Sequence, residues 1–308
     1  MKLALGGDTM LGRGVAERLA ADPQHVLFAS ELLDVIGEAD LFVLNLECCI
    51  SARGEQMPGR VFHFRAPPWA ADALRRLGVD CVTLANNHVL DFGPDALLDT
   101  LAHLDSAGIR AVGAGTDSEH ARRPVVLETG GFRLAVVAFS DHPREYAADA
   151  DRPGIAYAEP GNLPEWLTPL LDADAVLATP HWGPNMTSEP PEYVRRAADS
   201  LVDAGASIVA GHSAHVFHGV APHVLYDLGD FIDDYRVDRK LRNDLGLLFL
   251  VELAGDRLET IPLKLEFAHT RLATGEDAAW LARRFSAACA AFGTEVAEEN
   301  GRLVACWR

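Results

Sequence analysis

Lys2-Leu3-Ala4-Leu5-Gly6-Gly7-Asp8 opens the chain with a short apolar run that breaks into glycine and ends on a carboxylate. Lys2–Gly6 reads as a strand, and Val15–Ala20 beyond it as a helix. The same grammar repeats downstream. Candidate strands are Leu41–Leu46, Cys81–Leu84, Arg110–Val112, Leu134–Phe139, Ala175–Thr179 and Ile208–Ala210. Between them lie candidate helices Glu31–Ile36, Pro68–Leu77, Pro94–Ala107 and Glu192–Ala204. Two of these begin with Pro, which suits a first helical turn because its missing N–H is unpaired there anyway. Leu97, Leu98, Leu101 and Leu104 give the longest of them an apolar stripe, and Gly108 ends it. Such alternation predicts an α/β fold with a largely parallel sheet.

The later chain changes pattern. Leu247–Leu253 and Thr260–Phe267, joined by the turn-like Ala254-Gly255-Asp256, read as an antiparallel hairpin. A helix over Ala278–Phe292 and a strand over Leu303–Trp307 follow. No linker, repeat or low-complexity tract interrupts the sequence. The expectation is one domain over residues 1–308, its motif-bearing part about 1–240 and residues 245–308 packed onto it.

Composition narrows the function classes. The 308 residues carry 27 Lys+Arg against 45 Asp+Glu, a formal charge of −18, which disfavours nucleic acid and anionic membrane surfaces as partners. A small anionic substrate remains compatible, because a bound cation or a few arginines invert the local field. No apolar run is long enough for an integral membrane segment, and no secretory signal is read at the N-terminus. Five cysteines without a CxxC spacing fit reduced, mostly buried thiols and a cytoplasmic location. Neither a G-x-S-x-G elbow nor a phosphate-binding glycine loop occurs, and Gly113-Ala114-Gly115 is too short to count as one.

The chemistry-bearing residues collect at strand ends. The first strand runs into Asp8, the second into Asn45 and Glu47, the third into Asn86-Asn87-His88 with Asp91 behind. Ala175–Thr179 runs into His181, and Ile208–Ala210 into Gly211-His212-Ser213-Ala214-His215. In an open α/β sheet the carboxyl ends of parallel strands share one edge, where ligands bind. Mixed Asp, Glu, Asn and His sets suit Mn, Zn or Fe. Taken singly, each residue has a plain structural reading. Asp8 could cap a helix, Glu47 could be an ion-pair partner, Asn-Asn-His a turn and His181 a packed core residue. Convergence of five strand ends is what favours a metal site.

These residues resemble the capsule-synthesis CapA family of poly-γ-glutamate proteins, which is similar to the calcineurin-type metallophosphoesterases. The matching segments include Gly7–Arg13, Asn45-Leu46-Glu47, Phe62–Pro67, Ala85–Gly93, Gly113–Gly115, His181-Trp182-Gly183, Asp203–Ala206, Gly211–Val216 and Tyr226–Phe231. The resemblance implies a layered α-β-β-α fold with two central mixed sheets and a site for one or two divalent ions. It implies Asp8, Glu47, Asn87, His181, His212 and His215 as metal ligands, with Glu47 where a bridging carboxylate stands. His88 would protonate a leaving group and Asp91 would orient it. Arg13, Arg65 and Asn45 would contact a small anionic or γ-glutamyl substrate.

Three departures are visible. Asp8-Thr9-Met10 stands where related enzymes have Asp-x-His, Ser213 replaces a family histidine, and Asp230 replaces a family asparagine, a carboxylate that could lie near the site. They leave open the number of metals and which of His212 and His215 binds. His218 and His223 match no motif and are expected in loops or on the surface. The implied functions are a metal-dependent hydrolase of a phosphoester or γ-glutamyl-like amide, in capsule or polyglutamate biosynthesis, or a binding and assembly factor for that polymer. Oligomeric state stays open.

Overall fold

A computed structural model describes the chain except residues 23, 163–164, 168–172, 254 and 308. Ala254, assigned above to the hairpin turn, lies outside the described residues. In the first sheet Lys2–Thr9, Leu41–Leu46, Cys81–Thr83 and Arg110–Val112 run parallel in that order. The other flank of Lys2–Thr9 pairs antiparallel with Leu245–Glu252, which is followed outward by Arg257–Glu266, Arg302–Cys306 and Val296–Glu299. The second sheet places Phe132–Ser140, Ala175–His181, Ile208–Ala210 and Val224–Leu225 in parallel, with Val125–Thr129 antiparallel at one edge.

Strand alternation builds the layers. Leu3, Leu5, Leu41 and Val43 of the first sheet share one apolar cluster with Leu134, Val136, Leu177 and Ile208 of the second. The intervening Ala4, Phe42 and Leu44 face the other way, onto Val15, Leu32, Leu74 and Leu97 of helices Arg13–Ala21, Ser30–Ile36, Ala70–Leu77 and Gly93–Ser106. Ala135, Val137, Val176 and Val209 likewise face Val194, Ala198 and Leu201 of helix Glu192–Asp203. A period of two on each strand therefore gives helix, sheet, sheet, helix, the layered α-β-β-α architecture expected.

Most expected elements are found, with shifted ends. Lys2–Thr9 continues through the glycines, Ala175–His181 runs two residues further, and the C-terminal helix begins earlier, at Gly275, and ends at Ala290. Val125–Thr129 and Val296–Glu299 were not anticipated; each turns into its neighbour through a glycine with positive φ, Gly130-Gly131 and Gly301. Four of the five cysteines are buried. His223 occupies a turn and His218 a loop, as expected, but His218 is buried there, with Nε2 bonded to the Thr187 carbonyl at 2.9 Å.

One glycine decides how the first strand reaches the site. Register against Leu41–Leu46 shifts between Gly6 and Asp8, so Gly7 is an extra, bulged residue that re-aims the carboxylate after it. Asp8 N–H then donates to the Gly229 carbonyl at 2.8 Å, and a Cβ on Gly7 would lie 1.9 Å from that same oxygen. Gly7→Ala is expected to destabilise the protein by about 3 kcal/mol, the upper end of an overpacking cost. Chemical denaturation checks this; an unchanged midpoint would show that the two backbones can separate.

Candidate metal centre

The parallel strands of both sheets deliver their carboxyl ends to one buried cluster. Asp8 is its hub. Its Oδ1 accepts from Asn45 Nδ2 at 2.9 Å and from His212 Nδ1 at 3.0 Å, and its Oδ2 from Ser213 N–H at 3.3 Å. Asp8 is no helix cap, since the helix beyond it begins only at Arg13 with Gly12 in the capping position. Glu47 follows Leu41–Leu46, and its backbone N–H donates to the Thr9 carbonyl at 3.0 Å. His181 and His212 lie side by side in a parallel bridge between adjacent strand ends. His215 reaches in from a turn in which Ser213 and His215 both have positive φ, 111° and 57°. That turn is held by Ala214 N–H donating to Asp227 Oδ2 at 2.8 Å.

Among the described residues, two groups of ligand-type atoms have all members within 4.8 Å of one another: Asp8, Glu47 and His181, and Asp8, His215 and Asp230. Asp8 belongs to both. His215 Nδ1 donates to Asp230 Oδ1 at 2.8 Å and lies 3.4 Å from Asp8 Oδ2, while its Nε2 stands 3.9 Å from Glu47 Oε1. His88 approaches from the other side, with Nε2 4.0 Å from Glu47 Oε1. Its Nδ1 donates to Asp91 Oδ2 at 2.6 Å, and Asp91 also accepts from Phe64 N–H at 2.8 Å and Tyr146 O–H at 3.2 Å.

A cation is the group these residues fit. Buried polar atoms in folded proteins are hydrogen-bonded in about nine cases of ten. Here Glu47 Oε1, Asn87 Oδ1, both ring nitrogens of His181, His215 Nε2 and Asp230 Oδ2 are buried without a hydrogen-bond partner. The carboxylate and amide oxygens, His215 Nε2 and one of the two His181 nitrogens offer lone pairs of the type that divalent metals take. A packed structural histidine would have found a partner for at least one nitrogen, so the core reading of His181 fails. The ion-pair reading of Glu47 fails too: among the described residues no Lys or Arg pairs with it, and the histidines nearest Oε1, His88 and His215, stand 4.0 and 3.9 Å away.

The electrostatics agree. Burial pushes the Glu47 carboxyl well above its ordinary value, with the Asp8 charge adding to it. Burial likewise raises Asp227, helped by Asp8, and Asp230, helped by Asp233 and Asp8. Burial alone would also raise Asp8, but the hydrogen bond and charge of His212, with His215 and His181, hold it below the usual range. Burial keeps His181 and His215 neutral, with His215 lowered to about 4. Neutral imidazole is the metal-binding form.

Two of the three expected substrate contacts, Asn45 and Arg65, sit differently. Asn45 is fully buried; its amide donates to Asp8 and Glu47, and its oxygen accepts from Thr83 Oγ1 and Asn86 Nδ2, each at 3.0 Å. It supports the carboxylates and has no face left for a substrate. Arg65 is not brought to the cluster either: its guanidinium lies 4.0 Å over the Phe92 ring and donates to the Arg53 and Gly54 carbonyls. Arg13 pairs with Asp234 at 3.2 Å and stacks on Phe62 and Phe64, each at 4.8 Å, yet its Nη1 is buried without a partner. Sequence reasoning left Asp227 unread and passed over Asp141-His142, which follow strand Phe132–Ser140 and place a ring 5.2 Å from that of His181. The strand-end rule that found His181 would have found them.

Residues 2–235 match the family described as bacterial capsule synthesis protein PGA_cap. The chain belongs to this family. Among relatives, a probable polyglutamine synthesis accessory protein of Mycobacterium tuberculosis is 31% identical, over 97% of this chain and 94% of its own length. Capsule biosynthesis protein CapA of Bacillus anthracis is 26% identical over 86% of this chain and 68% of its own. Solved structures with a similar course include a hypothetical protein from Thermus thermophilus, at 21% identity, 88% and 96% coverage and a TM-score of 0.46. A putative 5'-nucleotidase from Staphylococcus aureus is 13% identical, with 90% and 56% coverage and a TM-score of 0.45. Among the described residues of this PGA_cap member, no helix is long and apolar enough to cross a membrane.

Proposed function

We propose that this PGA_cap family member is a divalent-metal-dependent hydrolase of a phosphoester or γ-glutamyl-like amide, serving capsule or polyglutamate biosynthesis in a reducing, cytoplasmic setting. The observation that carries the reading is the coincidence between buried unpartnered lone-pair atoms and the strand-end ligand set, Glu47, Asn87, His181 and His215 among them. Asp8, Glu47, Asn87, His181, His212 and His215 are the proposed holders of one or two ions, of Mn, Zn or Fe, with Asp230 added as a candidate. Such ions, when bound, polarise a phosphoryl or carbonyl oxygen and acidify water. The names of the relatives supply the biosynthetic context.

The chain's own groups then divide the work. Asp91 accepts the hydrogen bond of His88 Nδ1–H at 2.6 Å, which points Nε2 at the cluster and supports the doubly protonated ring that carries a second proton on Nε2. From there His88 can hand a proton to a departing oxygen or nitrogen. Asn45 spaces Asp8 from Glu47, and the free Nη1 of Arg13 is the candidate contact for developing negative charge.

A binding role in polymer assembly is favoured by one observation, the fully buried apolar Met10 where a first-motif ligand is expected. Elemental analysis, then assays with an aryl phosphate and a γ-glutamyl anilide in Mn, Zn or Fe, separate the two. Bound metal with turnover is the expected result; metal-free, inert protein sinks the hydrolase. His88→Asn should lower kcat by about a hundredfold to ten-thousandfold while retaining metal, as loss of a general acid does. Unchanged kcat would remove His88 from the mechanism.

A further inference from the structure

The loop from Met57 to Phe64 folds over the His88 side of the cluster. Met57 N–H donates to the Asp91 carbonyl and Phe64 N–H to the Asp91 side chain, both at 2.8 Å, and His63 Nε2 closes the loop on the Met57 carbonyl at 2.7 Å. Arg60 stands between these anchors. Its guanidinium lies 4.5 Å over the ring of Tyr146, whose hydroxyl donates to Asp91, the partner of His88. Yet Nη2 of Arg60 is buried without a hydrogen-bond partner, and no carboxylate among the described residues closes on it as an ion pair. In a chain with 45 carboxylates an arginine in that condition is conspicuous.

The physical consequence is a cation that is oriented but not neutralised. An aromatic face holds a guanidinium in place without cancelling its charge. Asp91, and Glu47 beyond His88, would otherwise repel an anion approaching this side. Arginine's planar fork matches a carboxylate, and such charge-assisted bonds are roughly twice as strong as neutral ones.

We propose that Arg60 is a specificity-determining residue that binds a carboxylate on the portion of the substrate departing towards His88. The assignment rests on the hydrolase reading, because it takes His88 as the side where the leaving group sits. A γ-linked glutamyl unit carries a free carboxylate of this kind beside its linkage. Val61 and Phe62, 85% and 51% exposed at the loop tip, put the entrance to Arg60 at the protein surface.

Paired probes test it on the metal-loaded protein. Turnover is compared between phenyl phosphate and 4-carboxyphenyl phosphate, and calorimetric binding between benzylphosphonate and 4-carboxybenzylphosphonate. The wild-type protein should prefer the carboxylated member of each pair. Arg60→Ala should raise KM for the carboxylated ester about tenfold more than for its partner, the loss expected for one charge-assisted hydrogen bond, with a smaller effect on kcat. Arg60→Lys should restore part of the preference, which a purely structural role would not do. Equal affinities of the wild-type protein for the two phosphonates overturn the assignment, whether or not either ester is cleaved. Carboxylate preference that depends on Arg60 but comes without turnover sinks the hydrolase instead and leaves Arg60 as a binding residue.

Discussion

Asp8→Asn is expected to empty the centre of metal and to lower hydrolysis by about a thousandfold or more, a loss of the size seen when a residue acting within a catalytic unit is removed. Asp8 is the one residue common to both groups of converging ligand atoms, so both ion positions weaken together. Asparagine keeps the size of the side chain and one acceptor oxygen for Asn45 and His212, so the fold should survive. The substitution even relieves strain in the metal-free protein, because the Asp8 charge is the second cause, after burial, that raises Glu47 and Asp227. Thermal melts should therefore separate two effects. In chelator the shift of the variant reports the balance between that relief and the lost Ser213 N–H acceptor and histidine-stabilised charge. With divalent metal at a hundredfold excess over Kd the wild type should gain about 2.7 kcal/mol, and the variant nothing. Full metal content in Asp8→Asn, by elemental analysis, would sink the assignment.

How much of this was legible in the sequence follows from what sequence patterns encode. Layers and parallel sheets were readable because Leu3, Leu5, Val43 and Val136 sit in apolar runs punctuated by helices, and alternation sends them to one face. The convergence of Asp8, Glu47, His181, His212 and His215 was readable because the ends of parallel strands share an edge. Direction within that edge was not readable. Asn45 lies near the end of an apolar strand, and only the Gly7 bulge and the Asn86 contact reveal that its amide is fully used. Asp230 sits in a strand of three residues, Asp230–Ile232, too short to show a period, and its pairing with Asp8 joins positions 222 residues apart. Arg65 lies in a matched motif, but its direction depends on where the Phe92 ring falls. Motif membership marks the neighbourhood of a site; hydrogen-bond partners decide who faces it.

The second large effect is the pH response of the metal-free protein. Glu47, Asp227 and Asp230 are raised well above the ordinary 3.8 to 4.5 of carboxyls by burial and then by neighbouring carboxylates, and Asp233 is raised to about 6, chiefly by burial. Groups whose native values exceed their unfolded ones hold protons longer when folded. Their contribution to stability is complete below the unfolded value and is lost as pH climbs through the native one. Buried histidines act with the opposite sign. His215 and His218 are lowered to about 4 from 6.5, and His181 is lowered well below 6.5 by burial and the adjacent His142, so the unfolded chain takes up protons first and stability is lost as pH falls below 6.5. Above 6.5 the histidines no longer tilt the balance and the buried carboxylates alone do. Chelator-treated protein should therefore lose thermal stability steadily as pH rises above 6.5, where the raised carboxyls ionise. A divalent cation makes the ionised carboxylate the favoured form in the folded state, so adding Mn or Zn should flatten that alkaline slope or reverse it. Asp8→Asn, which cannot bind the ion, should keep the slope in the presence of metal, though a shallower one because one repelling charge is gone. A metal-free melting temperature that stays level across this range would mean that the cluster is wetter than its burial indicates and that its carboxylates ionise freely without a cation.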